Sequence, residues 1–365
     1  MSGEVELAAS LARALAVEPR DDDLTHGFHT YPAGLHPSAA RQLIELAPGR
    51  TLRDPFAGGG TVLVEAMRAG REAWGTDVSP VAVAVARCRT TLIDDPGLTA
   101  MRSTARRITE AARAWRAPPP RAVLEQVREW YAPHVLAELQ GLAVGVRAAP
   151  ESVRPLLEVA FSSLLVKASY RRSDTSMERD ERERPAGTTA ILFHKKVREL
   201  GRRLEALRDA VPADTPPARV LRGDARGTWT GGKVDLVMTS PPYPGVYDYL
   251  AIQDLRAAWL GWDLPVDQEI ASRSRWGADF EAARRDWRAD TFAWMREANR
   301  ALAPGGALVV VIGDGLVGDR AVDARADTVA LAGEHRFKLR AGASLARPDH
   351  ARQAVRWEHV LWFER

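Results

Sequence analysis

The chain contains a single cysteine, Cys88, among its 365 residues. One cysteine excludes an intrachain disulfide framework and a multi-cysteine zinc site, and it favours a reducing compartment. No apolar run approaches the roughly 18 residues of a membrane span, and no apolar core follows a basic start at the N-terminus. We therefore expect a cytoplasmic protein without a signal peptide or a membrane partner, in which Cys88 is a small core residue.

A large excess of one charge sign is also absent. The formal net charge is +3, with 45% apolar and 27% charged residues. This composition excludes a disordered or fibrous chain and allows one large or two modest globular domains. A small positive charge permits a polyanionic partner without requiring one, because the distribution of charge matters more than its sum.

Short apolar runs typical of strands occur in seven places and alternate with helical periodicity, as in βαβ units. The last two runs have no helical span between them, which predicts an antiparallel hairpin at one edge of the sheet. The pattern predicts an α/β fold with a seven-stranded sheet. The predicted strands begin at Thr51, Glu72, Arg219, Asp235, Ala307, Phe337 and Trp357.

Strand signals vanish over residues 98–211, where helical stretches take their place at residues 124–146, 153–170 and 190–211. Proline-rich runs punctuate this part of the chain as linkers. We therefore divide the chain into an N-terminal segment (1–50), the first part of the α/β domain (51–97), a mainly helical insertion (98–217) and the second part of the α/β domain (218–365).

A glycine-rich turn, DPFAGGGT at residues 54–61, lies between the first strand and the next helix, where a first βα turn binds nucleoside cofactors. The next strand ends at Asp77, placed to accept hydrogen bonds from a ribose diol. The turn lacks the G-x-G-x-x-G spacing of a dinucleotide site, and the Asp54 carboxylate would repel phosphate and attract a cation. S-adenosylmethionine carries a sulfonium and an ammonium group, so we expect this cofactor, with Asp54 at its amino acid end and Asp77 at its ribose.

A further carboxylate, Asp224, follows the third strand and precedes Ala225. Asp224 could accept a hydrogen bond from an adenine amino group. Without the glycine turn and Asp77 as context, we would interpret Asp224 as a helix N-cap.

The sequence TSPPY at residues 239–243 follows directly on a buried strand. Two prolines stiffen the chain and turn its carbonyl oxygens outwards as acceptors. An amino group of a nucleobase could donate to Ser240 and to a proline carbonyl while its ring stacks on Tyr243. The alternative is a strand followed by a plain proline-rich turn.

Together, DPFAGGGT, the acidic second strand end and TSPPY resemble the S-adenosylmethionine-dependent amino-methyltransferases of DNA. Residues 26–33 (HGFHTYPA) are similar to the segment that closes over the methionine end of the cofactor in this family, although they also fit a polar loop. The resemblance implies a Rossmann-like class I sheet of seven strands with a reversed terminal hairpin. It implies catalytic roles for Ser240, Pro241, Pro242 and Tyr243. The cofactor residues that it implies are Tyr31, Pro32, Asp54, Pro55, Phe56, Ala57, Gly58, Gly60, Thr61, Asp77, Val78, Asp224, Ala225 and Thr239.

The activity implied is methyl transfer to the exocyclic amine of a base flipped out of double-stranded DNA. In this family, a serine before the two prolines is more typical of enzymes that methylate cytosine N4 than of enzymes that methylate adenine N6. Cys88 lies away from both motifs, which argues against a cytosine C5 enzyme, since that reaction needs a cysteine nucleophile. Two alternatives stay open: an RNA amino-methyltransferase and a catalytically silent nucleic-acid-binding protein. The insertion matches no known recognition domain.

Basic residues concentrate in residues 167–208, with twelve Lys or Arg against seven Asp or Glu. Such an excess suits contact with phosphates, although the alternating signs of residues 178–184 also fit a solvated helix face. The predicted nucleic-acid contacts are Lys167, Arg171, Arg172, Ser173, Lys195, Lys196 and Tyr247. Tyr247 and Tyr249, which follow TSPPY, are expected at the wall of the pocket, although both could equally pack in the core.

Other polar groups and tryptophans receive plainer interpretations. His26, His29 and His36 lack acidic or cysteine partners at ligand spacing, so no metal site is predicted. Gly313-Asp314-Gly315 reads as a turn. Core positions are expected for Trp259, Trp262, Trp276, Trp287 and Trp294.

Overall fold

The computed structural model describes residues 2–17, 23–32, 34–180, 184–317, 320–349 and 354–365. The strands in these residues are β1 (Ser2–Gly3), β2 (Thr51–Asp54), β3 (Glu72–Asp77), β4 (Arg219–Arg222), β5 (Val234–Thr239), β6 (Leu302–Gly313), β7 (Gly315–Val317), β8 (Arg320–Val322), β9 (Lys338–Asp349) and β10 (Ala354–Glu364). The helices are α1 (Val5–Leu15), α2 (Pro37–Leu46), α3 (Thr61–Arg68), α4 (Pro80–Arg89), α5 (Asp95–Ala114), α6 (Arg121–Val127), α7 (Pro133–Arg147), α8 (Arg154–Ala168), α9 (Thr188–Ala210), α10 (Asp254–Leu260), α11 (Arg273–Ala278), α12 (Phe280–Ala301) and α13 (Ala324–Glu334). Short 3-10 turns lie at Arg128–Trp130, Ala251–Gln253 and Val266–Gln268.

Eight strands form one sheet in the order β1-β9-β10-β6-β5-β2-β3-β4. Strands β2 to β6 pair in parallel, whereas β10 runs antiparallel to both β6 and β9. The α/β class and the antiparallel terminal hairpin are therefore as predicted. The count of seven strands is wrong, because β1 adds an eighth at the edge through pairing of Ser2 with Gly342 and of Gly3 with Ala341. Two residues are too few to show the apolar alternation on which strand prediction rests.

The central strands are buried on both faces, which explains their nearly unbroken apolar sequences. Leu236 and Met238 of β5 pack into one core layer with residues of α1, α2 and α3, whereas Val237 between them packs into the opposite layer with α12 and α13. Strand β6 alternates in the same way. The tryptophans Trp259, Trp276, Trp287 and Trp294 are buried as predicted, and Trp262 is partly buried.

Residues 95–210 contain helices α5 to α9 and an isolated bridge between Arg171 and Arg179. Their apolar side chains share one core with Val81 and Val85 of α4 and with Trp259 of α10, so these helices pack directly against the α/β part of the chain. The helical character is as predicted, while the domain boundaries stay a prediction. None of the described helices combines the length and the apolar character needed to cross a bilayer.

Two helices differ from the sequence prediction. Helix α5 begins at Asp95, in a stretch where Pro96 and Gly97 resemble a turn; Asp94 caps it by accepting from the Gly97 N–H at 2.8 Å. The predicted helix over residues 124–146 is two helices separated near Tyr131, because Pro133 starts a new helix at its first turn.

The parallel arrangement of β2 to β5 brings the carboxyl ends of these strands to one edge of the sheet. Strand β2 ends at Asp54, β3 at Asp77 and β5 at Thr239. The glycine turn, the two acidic strand ends and the TSPPY sequence therefore meet, although residues 54–61 and 239–243 lie far apart in the chain.

Candidate active site

One cavity lies at the carboxyl edge of the sheet, and most of the predicted cofactor and catalytic residues line it. The predicted residues that line it are Tyr31, Pro32, Asp54, Pro55, Phe56, Ala57, Gly58, Thr61, Asp77, Val78, Asp224, Ala225, Ser240, Pro241, Pro242 and Tyr243. Gly60 and Thr239 lie just behind the wall. Their assignment to a ligand site stays a prediction, while their proximity is a structural fact.

The glycine turn is shaped by Asp77 and by the packing of α3 on α4. Asp77 accepts the Gly58 N–H at Oδ2 and the Ser79 N–H at Oδ1, both at 2.9 Å, and so joins the turn to the end of β3. Gly60 has a φ of +82°, and a side chain there would lie 2.9 Å from Ala86 Cα in α4. Only glycine suits this position, because both the backbone conformation and the close helix contact exclude a Cβ atom.

Asp54 at the end of β2 is buried with its carboxyl beside the cavity. Its Oδ1 atom accepts from the Thr239 hydroxyl at 2.7 Å and from the Phe56 N–H at 3.1 Å. Burial raises the pKa of Asp54 to about 7, against the lowering effect of these two hydrogen bonds. Burial likewise raises the pKa of Asp77 to about 6. Two such carboxyls favour a cationic ligand, which would stabilise their ionised forms.

The segment before α2 closes over the glycine turn. Tyr31 lies against the turn, since a Cβ atom on Gly59 would be 3.2 Å from Tyr31 Cβ. The buried Arg89 guanidinium holds both parts by donating to Gly59 O at 2.9 Å and to His29 O. His26 contacts Glu65 of α3 at 2.7 Å. Ala33, the last residue of the predicted closing segment, lies outside the described residues.

The TSPPY sequence leaves β5 and forms the opposite wall of the cavity. The Tyr243 ring lies over Gly313 at the end of β6, where a Cβ atom would come within 2.6 Å of the ring. The Tyr243 hydroxyl donates to Glu358 at 3.0 Å, and Arg347 holds the other carboxylate oxygen of Glu358 at 3.0 Å. Burial, followed by the Glu358 charge, raises the pKa of Tyr243 well above its usual value. Gly313, interpreted from the sequence as part of a turn, thus makes room for the aromatic ring.

Most of a third wall was missed by sequence reasoning. This wall consists of Tyr249, which was expected at the pocket, and of Leu250, Gln268, Glu269 and Ile270, which were not. Glu269 is buried, and its Oε1 atom accepts from the N–H groups of Tyr249 and, at 3.4 Å, of Leu250. The loop sequence around Glu269 mixes polar and apolar residues and carries no motif, so only the position of this carboxylate in the folded chain identifies it. Gly34, Leu35, Gly59, Val62, Ser79 and Gly223 also line the cavity without having been predicted.

Asp224 does not cap a helix. It begins a turn closed by the Gly227 N–H donating to Asp224 O at 2.9 Å. The carboxylate pairs with Arg226 at 2.6 Å, and Arg226 also pairs with Asp290 at 2.6 Å. Asp224 lines the cavity, but its charge is already shared with a neighbouring arginine.

The predicted nucleic-acid residues fall into two groups. Arg171 and Lys196 are buried and paired, Arg171 with Asp254 and Lys196 with Glu199, so their charges are neutralised within the chain. Exposed positions are held by Lys167, Arg172, Ser173 and Lys195, with Arg172 contacting Glu178 at 2.7 Å. Tyr247 packs edge-on against Tyr249 at 5.4 Å between ring centroids and does not line the cavity. Residues 181–183 of the alternating charge run lie outside the described residues.

Basic side chains that were not predicted line a separate groove between α5 and α9. Arg102, Arg106, Arg198 and Arg202 lie there beside His194. Arg102 pairs with Glu205 at 2.7 Å, while Arg106, Arg198 and Arg202 are exposed. These residues fall at helical spacing on two distant segments, so the sequence did not show that they converge.

Comparison with known proteins adds one partial sequence match. No family model matches the chain. The type II methyltransferase M.MvaI of Kocuria varians is 40% identical over 77 residues, a match that spans 20% of this chain and 17% of that relative. Among solved structures, TrmN from Thermus thermophilus aligns with 13% identity, covering 90% of this chain and 48% of that one, at a TM-score of 0.36. The rRNA methyltransferase aviRa from Streptomyces viridochromogenes aligns with 15% identity, covering 99% and 94%, also at 0.36.

Thr239→Val tests the hydrogen bond between the two motifs. The variant removes a buried hydroxyl that donates to the Asp54 carboxyl, so we expect the free energy of unfolding to fall by about 1–3 kcal/mol. Urea denaturation at pH 8, where Asp54 is ionised, measures this loss. Thr328→Val is the control, because Thr328 is equally buried and its hydroxyl has no partner among the described residues. A loss in Thr239→Val no larger than in the control would contradict the role assigned to this bond.

Proposed function

We propose that the protein is an S-adenosylmethionine-dependent methyltransferase that acts on the exocyclic amino group of a DNA base, with cytosine N4 ahead of adenine N6. The observation that carries this proposal is the shared cavity. The acidic glycine turn and the Ser240-Pro241-Pro242-Tyr243 segment line the same space. A donor held by the first and an amine held by the second would therefore meet.

The residues around the glycine turn fit the cofactor by charge and by shape. Among the described residues, Asp54 accepts two hydrogen bonds, both through Oδ1, which leaves Oδ2 for an ammonium group. Asp77 offers acceptors for a ribose diol, and Gly58 and Gly59 line the cavity on a turn against which Tyr31 and Arg89 pack closely. When bound, S-adenosylmethionine supplies an electrophilic methyl group. The partial match to a type II methyltransferase supports this class of reaction.

The TSPPY segment would hold the amine that accepts the methyl group. Ser240 and the Pro241 carbonyl accept its two hydrogens, so that the nitrogen lone pair turns towards the donor, and Tyr243 supports the ring of the base. Positioning of this kind can lower a barrier by about 7–11 kcal/mol. No protein nucleophile is required, and burial raises the pKa of Cys88 to about 12, which leaves this thiol unsuited to attack.

Contact with the nucleic acid backbone is assigned in this proposal to the arginine groove between α5 and α9. Three exposed guanidinium groups in one groove fit phosphates, which bind arginine through paired hydrogen bonds. The exposed Lys167 and Lys195 are further candidates, whereas the buried Arg171 and Lys196 serve packing. An RNA amino-methyltransferase and a silent binding protein remain as outcomes of the assay below.

The direct test is an assay of methyl transfer. Incubation with radiolabelled S-adenosylmethionine and duplex DNA, single-stranded DNA or RNA should give labelled N4-methylcytosine in duplex DNA, identified by mass spectrometry of the nucleosides. Ser240→Ala should lower kcat roughly a hundredfold, because a misplaced acceptor costs about that much. Cofactor affinity should stay close to that of the wild type.

Variants of Tyr243 provide the matched comparison. Tyr243→Phe keeps the ring over Gly313 and loses only the hydroxyl contacts with Glu358 and Ser240, so it should lose much less activity than Tyr243→Ala. Methyl transfer into RNA and not into DNA would favour an RNA amino-methyltransferase. Full activity in both Ser240→Ala and Tyr243→Ala would remove the TSPPY segment from the mechanism.

Cofactor affinity should depend on pH through Asp54 and Asp77. A cationic ligand binds best when both carboxyls are ionised. The affinity is therefore highest at pH values above their raised pKa values of about 7 and about 6, and it falls as the pH drops through them. We expect the dissociation constant to rise roughly tenfold between pH 8 and pH 6. Isothermal titration calorimetry measures this change.

Asp54→Asn is the control for the pH experiment. The ionisable groups of the ligand affect the wild type and this variant equally, so a difference between the two profiles is due to Asp54. This variant should bind more weakly at pH 8 and show a flatter pH dependence. An identical pH profile in the variant would remove Asp54 from the cofactor site.

Neutralising the arginine groove should weaken nucleic acid binding. Arg198→Gln combined with Arg202→Gln removes two phosphate contacts, so the slope of log affinity against log salt should fall by roughly two. Fluorescence anisotropy with a duplex oligonucleotide measures the slope. Arg50→Gln is the control, since Arg50 is exposed at the opposite, amino-terminal edge of the sheet. Because the control removes one charge and the groove variant removes two, an effect in Arg50→Gln half as large as in the double variant would show that total charge, and not the groove, drives binding.

A further inference from the structure

Glu269 is a buried carboxyl whose hydrogen bonding is only half satisfied. It exposes 4% of its surface and lines the same cavity as Ser240 and Asp54. Oε1 accepts from the main-chain N–H groups of Tyr249 and Leu250, whereas Oε2 is buried without a hydrogen-bond partner among the described residues. A buried polar atom left unpaired is costly, because it gives up its hydrogen bond to water without replacing it. An unpaired oxygen that lines a cavity indicates a ligand that supplies the missing hydrogen-bond partner.

The two oxygens of Glu269 have different chemical characters. Because main-chain N–H groups point at Oε1, that atom acts as the acceptor, and a proton on the carboxyl resides on Oε2. Burial raises the pKa of Glu269 to about 7, with Asp248 adding to the rise and the two main-chain hydrogen bonds and Arg275 opposing it. The neutral acid is therefore well populated at neutral pH, and it presents an O–H donor.

A flipped base held by the TSPPY segment needs such a donor. Ser240 and the Pro241 carbonyl accept the two hydrogens of the amine, which leaves the neighbouring ring nitrogen with an unpaired lone pair. That nitrogen is N3 in cytosine and N1 in adenine. In uracil and thymine the equivalent ring nitrogen, N3, carries a hydrogen. This hydrogen would face the proton of the acid, so no hydrogen bond could form.

We propose that Glu269 is a base-recognition residue, whose Oε2–H donates to the ring nitrogen beside the target amine. This inference rests on the proposed function and deepens it, since it specifies the bases that the cavity accepts. Such recognition discriminates strongly, because a wrong base leaves a buried donor facing a hydrogen.

The test combines variants of Glu269 with a substrate that lacks one atom. 3-Deazacytosine replaces the ring nitrogen with C–H; 1-deazaadenine does the same if the assay identifies adenine as the target. In the wild type, the deaza base should lower kcat/KM roughly 10- to 100-fold. On the normal base, Glu269→Ala should lower kcat/KM by a similar factor. Replacing the normal base with the deaza base should then lower the kcat/KM of this variant little further.

Glu269→Gln separates recognition from a structural role. Glutamine keeps the acceptor for the Tyr249 and Leu250 N–H groups and offers an N–H donor in place of Oε2–H, so it should recover most of the kcat/KM that Glu269→Ala loses. If Glu269→Gln loses as much as Glu269→Ala while its thermal midpoint is unchanged, the proposed donor role is wrong.

The remaining outcomes distinguish the two proposals. Methylation by the wild type without any effect of the deaza base overturns the role of Glu269 and leaves the proposed function intact. The role of Glu269 would likewise be overturned if the free-energy losses in kcat/KM from Glu269→Ala and from the deaza base were additive. Additive losses would mean that the side chain and the ring nitrogen do not contact each other. A wild type that methylates neither DNA nor RNA overturns the proposed function, and this inference with it. Should Glu269→Ala fail to fold, the wild type and Glu269→Gln on the two substrates still decide the question.

Discussion

The hydrogen bond from the Thr239 hydroxyl to the Asp54 carboxyl, 2.7 Å long, joins the two parts of the candidate site. Thr239 ends β5 and Asp54 ends β2, which lie side by side in the sheet. Each residue also begins a segment that lines the cavity, so the bond sets the position of the glycine turn relative to the TSPPY segment. The parallel pairing of the two strands makes this contact possible, because only parallel neighbours end at the same edge.

Buried carboxyls are the second constraint on the site. Asp54, Asp77 and Glu269 all line the cavity, and burial raises the pKa of each. The protein holds these groups with main-chain N–H donors, which offset part of the cost of removing them from water. Asp54 and Asp77 at one wall suit a cationic donor, while the neutral form of Glu269 at another wall suits a base. The same physical effect therefore serves two different ligand chemistries.

The helical insertion shares its core with α4 and α10, which follow segments of two of the three walls of the cavity. Helix α4 follows Asp77 and carries Arg89, which fixes the closing segment with Tyr31. Helix α10 follows the loop that contains Tyr249, and its Trp259 packs among the insertion helices. Nucleic acid bound along α5 and α9 would thus contact helices that pack against the elements around the cavity.

Elements that depend on local pattern could be predicted from the sequence alone. Apolar alternation and turn residues identified seven strands, the reversed hairpin, the glycine turn and TSPPY, because each leaves a signal within a few neighbouring residues. Contacts between distant segments are visible only in the folded chain. Arg171 and Lys196 looked like free cations until Asp254 and Glu199 were found beside them, and Gly313 looked like a turn until the Tyr243 ring lay over it. Glu269 showed no motif at all, because a half-satisfied carboxyl exists only when the folded chain surrounds it.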